Sequence, residues 1–140
     1  MTSGGEAGIM AENLKFTEDH LWVRVSGKRA QVGLSEYMQD ELGEIIAVEL
    51  PDVGDVLERG ESFGEIESVK TVSDLLAPVS GTISATNTDL EDQPALVNED
   101  PYREGWLLEI ELSDKSELED LMDPDEYEDF TEGGDGDEDE

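Results

Sequence analysis

The sequence predicts a mainly β domain, a sandwich or barrel with short helical additions. Apolar residues alternate with polar ones in many short runs, and glycine or proline punctuates those runs at close spacing. Helical periodicity is confined to a few brief segments, and 140 residues suffice for one modest core.

Leu21, Val23 and Val25 alternate up to a Ser26-Gly27-Lys28 turn, and Ala30, Val32 and Leu34 alternate away from it, which describes a hairpin. A short helix follows: Ser35 suits the N-cap, Met38 and Leu42 share a face, and Gly43 closes it. Ile46, Val48 and Leu50 alternate as the next strand, ended by Pro51 and the Asp52-Val53-Gly54-Asp55 turn. Gly60 lies ten residues before Lys70 and Gly81 eleven after it. The segments between hold Phe63, Ile66, Val69, Val72, Leu75 and Leu76, so two strands meet at a tight bend with Lys70 at its tip. Thr82 to Ala85 form another short strand, a polar loop runs through Pro94, and Trp106, Leu108, Ile110 and Leu112 alternate as a late strand. Two terminal helices are expected. Leu118, Leu121 and Met122 stripe the first, and Asp123-Pro124 with Glu126 reads as a capping box opening the second, whose apolar edge is Tyr127 and Phe130.

The charge balance bounds the partners. There are 39 acidic and 8 basic residues, a formal net charge of −31, where a magnitude of about 2–8 suits a small domain. Such a surface repels nucleic acid and anionic membranes. Apolar alternation across 12–130 argues against a wholly disordered chain, so the acids are expected to coat a folded domain that works in concentrated salt. Residues 1–11 read as a flexible extension and 131–140 as an acidic disordered tail. Neither a secretory signal nor a membrane-crossing apolar run is visible, which predicts a cytoplasmic protein.

Cysteine is absent, which excludes thiolate chemistry, and the single histidine, His20, cannot assemble a multi-histidine metal site. Carboxylate pairs such as Glu65 and Glu67 carry little information among so many acids. The acidic run from Asp135 lacks the spacing of a calcium loop, and no phosphate loop or Ser-His-Asp set can be built. What remains is lysine. Of Lys15, Lys28, Lys70 and Lys115, only Lys70 falls in a strongly apolar, symmetric segment, flanked by Glu67, Ser68, Val69, Ser73 and Asp74. A modifying enzyme that must choose one amine needs it at a fixed, exposed point, and a tight hairpin tip provides that.

These residues also match a known family. Gly64-Glu65-Ile66-Glu67-Ser68-Val69-Lys70-Thr71-Val72-Ser73-Asp74 resembles the lipoylation site of glycine cleavage H proteins. Three further segments agree in order: His20 with Trp22; Gly33-Leu34-Ser35 through Gln39 to Leu42-Gly43-Glu44; and Leu96-Val97-Asn98-Glu99-Asp100-Pro101-Tyr102 with Gly105-Trp106. The resemblance runs from about Leu14 to Phe130. It implies a barrel-sandwich hybrid of two small antiparallel sheets with short flanking helices, and lipoate in amide linkage to Lys70. It also implies a non-catalytic, monomeric carrier. Glycine decarboxylase, a pyridoxal phosphate enzyme, would load it with an aminomethyl group. The tetrahydrofolate-dependent aminomethyltransferase would take that group, and dihydrolipoamide dehydrogenase would reoxidise the dithiol. A lipoate ligase or lipoyl transferase would install the cofactor.

Two positions depart from the family pattern. Leu21 stands where a glutamate is frequent, and Glu41 where a histidine is frequent. Both family positions adjoin the cleft that shelters the loaded arm. Leu21 has no carboxylate to offer there, and Glu41 is the candidate substitute.

Alternatives share the architecture. Lipoyl domains of 2-oxo acid dehydrogenases usually show Asp-Lys-Ala at the tip, and biotin carriers have methionine on both sides of the lysine; here the tip reads Val69-Lys70-Thr71. A carrier that relays lipoyl groups to other enzymes would show the same motifs, and an unmodified acidic interaction module would not need the lysine.

The charge count yields a prediction. The folded state concentrates repulsion that unfolding relieves. The Debye length falls from about 10 Å at 0.1 M salt to about 3 Å at 1 M, against a net stability of about 5–15 kcal/mol. Thermal melts should therefore shift steeply upward as KCl rises from 0.1 to 1 M, whereas a flat melting temperature would remove the high-salt inference.

Overall fold

Gly27 takes a left-handed φ of 63° in the two-residue turn that Ser26 and Arg29 close, and this folds the first hairpin. The computed structural model describes residues 14–139, with side chains through Thr131. Its elements are β1 (Leu14–Phe16), β2 (Leu21–Ser26), β3 (Arg29–Leu34), α1 (Glu36–Leu42), β4 (Ile45–Glu49), β5 (Val56–Leu57) and β6 (Ser62–Ser68). These are followed by β7 (Val72–Leu76), β8 (Gly81–Thr86), α2 (Asp89–Asp92), α3 (Leu96–Glu99), β9 (Leu108–Leu112), a 3-10 helix (Lys115–Asp120) and α4 (Pro124–Asp139).

The strands form two antiparallel sheets. One has six strands in the order β1-β2-β3-β9-β8-β5, the other three in the order β4-β6-β7. Their inner faces share one core. Val23, Ala30, Val32, Ile83, Leu108 and Ile110 come from the large sheet, and Ile45, Phe63, Ile66 and Leu75 from the small one. Each large aliphatic side chain so buried contributes about 1.5–3 kcal/mol. The mainly β, two-sheet expectation holds, including the hairpin at 21–34 and the helix that Ser35 caps by accepting from Met38 N–H.

Three local readings need correction. Ile46 was expected to alternate inward with Val48 and Leu50, yet Ile45 is buried and Ile46 is 45% exposed. A bulge is the reason: Ile45 pairs with Ser68 and Ala47 with Glu67, leaving Ile46 as the extra residue. The loop through Pro94 contains the short helix α2, which buries Leu90, and a second short helix, α3, follows it and buries Val97. The first terminal helix is of the 3-10 type, with Leu118 and Leu121 against the core and Met122 in a second cluster.

The second terminal helix opens as expected, since Asp123 N–H donates to Glu126 Oε1 at 3.0 Å and Glu126 N–H donates to Asp123 Oδ1 at 2.8 Å. Its backbone continues past Phe130 to Asp139. The side chains of the expected tail beyond residue 131, and the expected extension 1–11, lie outside the described residues. Two ion pairs form among the described residues, Arg29–Glu109 at 3.9 Å and Arg59–Asp120 at 2.7 Å, both at the surface.

Helix α4 is fastened by Tyr127. Its ring stacks on Phe16 at 4.3 Å beside buried Leu14 and Trp22. Its hydroxyl lies 2.7 Å from Ser35 Oγ and 2.8 Å from His20 Nδ1. Burial pushes the phenol up from 10.0 to about 12, partly offset by the hydrogen bond with Ser35. A folded value above the unfolded one means that the stabilisation is complete below pH 10 and is lost as pH rises towards 12. Melting temperature should therefore fall across that interval at constant KCl. Tyr127→Phe should start lower, by about 0.5–1.5 kcal/mol for the lost hydrogen bond, and show a shallower alkaline decline; parallel curves for the two proteins would refute the assignment.

Candidate functional site

The turn joining β6 to β7 is built by one buried serine. Ser68 N–H donates to Thr71 C=O at 2.8 Å, and Ser68 Oγ accepts from the N–H groups of Lys70 at 3.1 Å and Thr71 at 3.2 Å. A side-chain oxygen thus does the work of a backbone carbonyl in closing the turn. Ser68 is 4% exposed, while the tip residues Val69, Lys70 and Thr71 stand in solvent. The structure gives the lysine a hydrogen-bonded backbone and an exposed side chain.

The tip is also tied to its neighbours. Val69 N–H donates to Glu44 C=O at 3.0 Å. Glu44 follows Gly43, whose φ of 81° closes α1. A Cβ at Gly43 would stand 3.4 Å from Lys70 Cε, so the lysine stem passes over this glycine. Lys70 Nζ reaches Glu41 C=O at 3.5 Å, a long contact that sets the ammonium against the C-terminal end of α1, where the helix dipole favours a cation.

Asn98 holds this corner. Its Nδ2 donates to Gly43 C=O at 2.8 Å and to Gln39 Oε1 at 2.9 Å, while its Oδ1 accepts from Ile45 N–H at 2.9 Å. Helix α3 therefore clamps the end of α1 to the start of β4. The opposite end of α1 is held by the remaining motifs. Tyr102 Oη accepts from Glu36 N–H at 2.9 Å, and Trp22 Nε1 donates to Pro101 C=O at 2.9 Å. Trp22 lies flat on Gly33, where a Cβ would fall 2.5 Å from the ring. Arg24 sits 4.7 Å above the indole and donates to Tyr102 C=O at 2.6 Å. Burial raises the Tyr102 phenol and lowers the Arg24 guanidinium. The four motifs read along the sequence are one structure, and its product is the position of α1 beside Lys70.

The sequence-predicted residues all lie on this hairpin, with different parts. Ser68 and Val69 bond the turn. Glu67 is exposed in the last register row, opposite Val72. Ser73 and Asp74 lie further down β7, opposite Ile66 and Glu65. Leu21 is 1% exposed within the core and presents nothing polar to a cleft, whereas Glu41 meets Lys70 through its carbonyl. The clamp made by Asn98 and the passage of the Lys70 stem over Gly43 were not foreseen from the sequence, although both residues lie in segments that resemble the family. Lys28 also occupies a hairpin turn, where its C=O accepts from Leu112 N–H at 2.7 Å; among the described residues no side chain staples that turn.

Comparison with known proteins finds one family. The family model described as Glycine cleavage H-protein matches residues 14–134. A probable glycine cleavage system H protein of Haloarcula marismortui is 53% identical over 118 residues, covering 84% of this chain and 93% of that protein. The glycine cleavage system H protein of Brevibacillus brevis is 51% identical over 117 residues, with 84% and 93% covered. The mitochondrial glycine cleavage system H protein 2 of Arabidopsis thaliana is 44% identical over 128 residues, with 91% and 82% covered. The crystal structure of a glycine cleavage system H protein from Mycobacterium marinum superposes with a TM-score of 0.79 at 36% identity, covering 87% of this chain and 98% of that one.

Removing the clamp should loosen the tip. Asn98→Ala leaves Ile45 N–H and Gly43 C=O without their partner and should cost about 1–3 kcal/mol. Amide exchange at Ile45 and Val69 should accelerate relative to core amides such as Ile110, as measured by NMR at fixed KCl. Unchanged exchange at Val69 would show that Asn98 does not govern the tip.

Proposed function

This chain belongs to the glycine cleavage H-protein family, and on that footing we propose that Lys70 carries the lipoyl group in amide linkage to Nζ. Membership makes the chain a non-catalytic lipoyl carrier of the glycine cleavage system. The observation that supports Lys70 is its presentation: an exposed amine on a turn stapled by Ser68 and tethered through Val69 to Glu44. An amide bond needs a primary amine with open access, and the tip offers one.

When bound, the group supplies the sulfur chemistry that carries a one-carbon unit and two electrons. The chain's own residues supply place and access. Ser68 holds the backbone, Val69 fixes the tip against Glu44, and Glu67, Ser73 and Asp74 extend the two strands that support it. The partners in this reading are pyridoxal phosphate-dependent glycine decarboxylase, the tetrahydrofolate-dependent aminomethyltransferase and dihydrolipoamide dehydrogenase. A lipoate ligase or lipoyl transferase installs the group. The same reading places the chain in the cytoplasm as a monomer, since a net charge of −31 opposes self-association. No helix among the described residues is long and apolar enough to cross a membrane. Residues 12–130 form the carrier domain in this reading.

Lys70→Arg keeps the charge but loses the nucleophile, because guanidinium stays protonated. The variant should fold as the parent does, gain no lipoyl mass after incubation with lipoate ligase, lipoate and ATP, and support no glycine–bicarbonate exchange. Lys28→Arg and Lys115→Arg should still gain one lipoyl group. A lipoylated peptide containing Lys28 or Lys115 in the parent protein would overturn the site.

A further inference from the structure

His20 is the chain's single histidine, and among the described residues it is the one non-glycine residue with a left-handed backbone, at φ 72°. That conformation is uncommon for a residue with a large side chain and persists where the surroundings hold it. A turn that needed only this φ would be served by glycine or asparagine. The imidazole adds contacts that reach α1 and α4. Its ring lies 4.8 Å from that of Tyr37 on α1, and 5.8 Å from those of Tyr127 and Phe130 on α4. His20 C=O accepts from Ser35 N–H at 3.0 Å, and His20 Nδ1 meets Tyr127 Oη at 2.8 Å.

The hydrogens available give the last contact a direction. Ser35 Oγ accepts from Met38 N–H at 3.1 Å and lies 2.7 Å from Tyr127 Oη, whose other partner is His20 Nδ1. Ser35 is 0% exposed, so its hydroxyl hydrogen needs a protein acceptor, and among the described residues Tyr127 Oη is the one in reach. With Ser35 donating to Tyr127, the Tyr127 hydroxyl donates to His20 Nδ1, which accepts only when it carries no proton. The reverse order, Nδ1–H to Tyr127 and Tyr127 to Ser35, would strand the Ser35 hydrogen in the interior. We infer that His20 is a positioning residue, held as the tautomer protonated at Nε2, whose bare Nδ1 draws the Tyr127 proton and leaves the Ser35 oxygen turned to cap α1. The far end of α1 lies beside the Lys70 stem, so His20 acts on the frame of the hairpin tip through Tyr127 and Ser35. The inference stands on this geometry and does not depend on the modification of Lys70.

The test uses the full chain at fixed KCl and about pH 8, above the ordinary histidine value of about 6.5. With one histidine in the chain, the ring-nitrogen NMR spectrum assigns itself. It should show Nε2 protonated and Nδ1 as an acceptor; a protonated Nδ1 would overturn the inference without any substitution. Three variants separate the acceptor from the ring and from the turn. His20→Asn keeps an acceptor near the Nδ1 position on a residue at ease with left-handed φ, and amide exchange at Met38 should stay within about twofold of the parent. His20→Phe keeps a ring without an acceptor, and exchange at Met38 should accelerate by about fivefold to tenfold, as for one lost hydrogen bond. Equal exchange in the Asn and Phe variants would refute the role of Nδ1. His20→Gly relieves the backbone, yet its melting temperature should fall because the imidazole contacts go with it. A glycine variant as stable as the parent would reduce His20 to a turn residue.

Discussion

The amide of Asn98 joins three pieces of chain that are distant in sequence: the end of α1 at Gly43, the start of β4 at Ile45, and its own helix α3. Buried backbone groups left without partners would cost about 1–3 kcal/mol each, so this side chain largely decides where the Gly43–Ile45 corner sits. Glu44 lies within that corner and accepts from Val69, and Val69 precedes Lys70. The tip of the β6–β7 hairpin thus takes its position from a residue on another element. Ser68 sets the shape of the turn, and Asn98 sets where the turn is held.

The same economy governs α1. At seven residues it is too short to be stable alone. Ser35 and Tyr102 accept from its Met38 and Glu36 N–H groups, Gly43 N–H donates to its Gln39 carbonyl, Asn98 holds the carbonyl of the capping Gly43, and Trp22 and Arg24 contact Tyr102. Its C-terminal end then lies beside the lysine stem. A carrier needs a rigid frame around a mobile arm, and these contacts form the frame while the Lys70 side chain stays exposed.

The acidic coat is a separate layer of design. Surface charge works on solubility, salt response and choice of partner, and the two-sheet core of Val23, Ile66, Ile110 and their neighbours is independent of it.

Much of this was legible in the sequence because it is local. Alternation marked the strands, Ser26-Gly27-Lys28 and Gly43 marked turns, the Asp123–Glu126 capping box marked a helix start, and the symmetric segment marked Lys70; each depends on residues within a few positions of one another. Tertiary structure decided the rest. The bulge that expels Ile46 arises from the pairing of β4 with β6, which alternation along β4 cannot reveal. Leu21 lies in the core because its strand packs inward, whatever stands at that position in relatives. The role of Asn98 depends on α3 reaching α1 across more than fifty residues of chain. Short-range rules of backbone and side chain determine which segments turn, extend or coil; only the closing of two sheets over one core brings distant polar groups close enough to share hydrogen bonds, and that closure places the lysine.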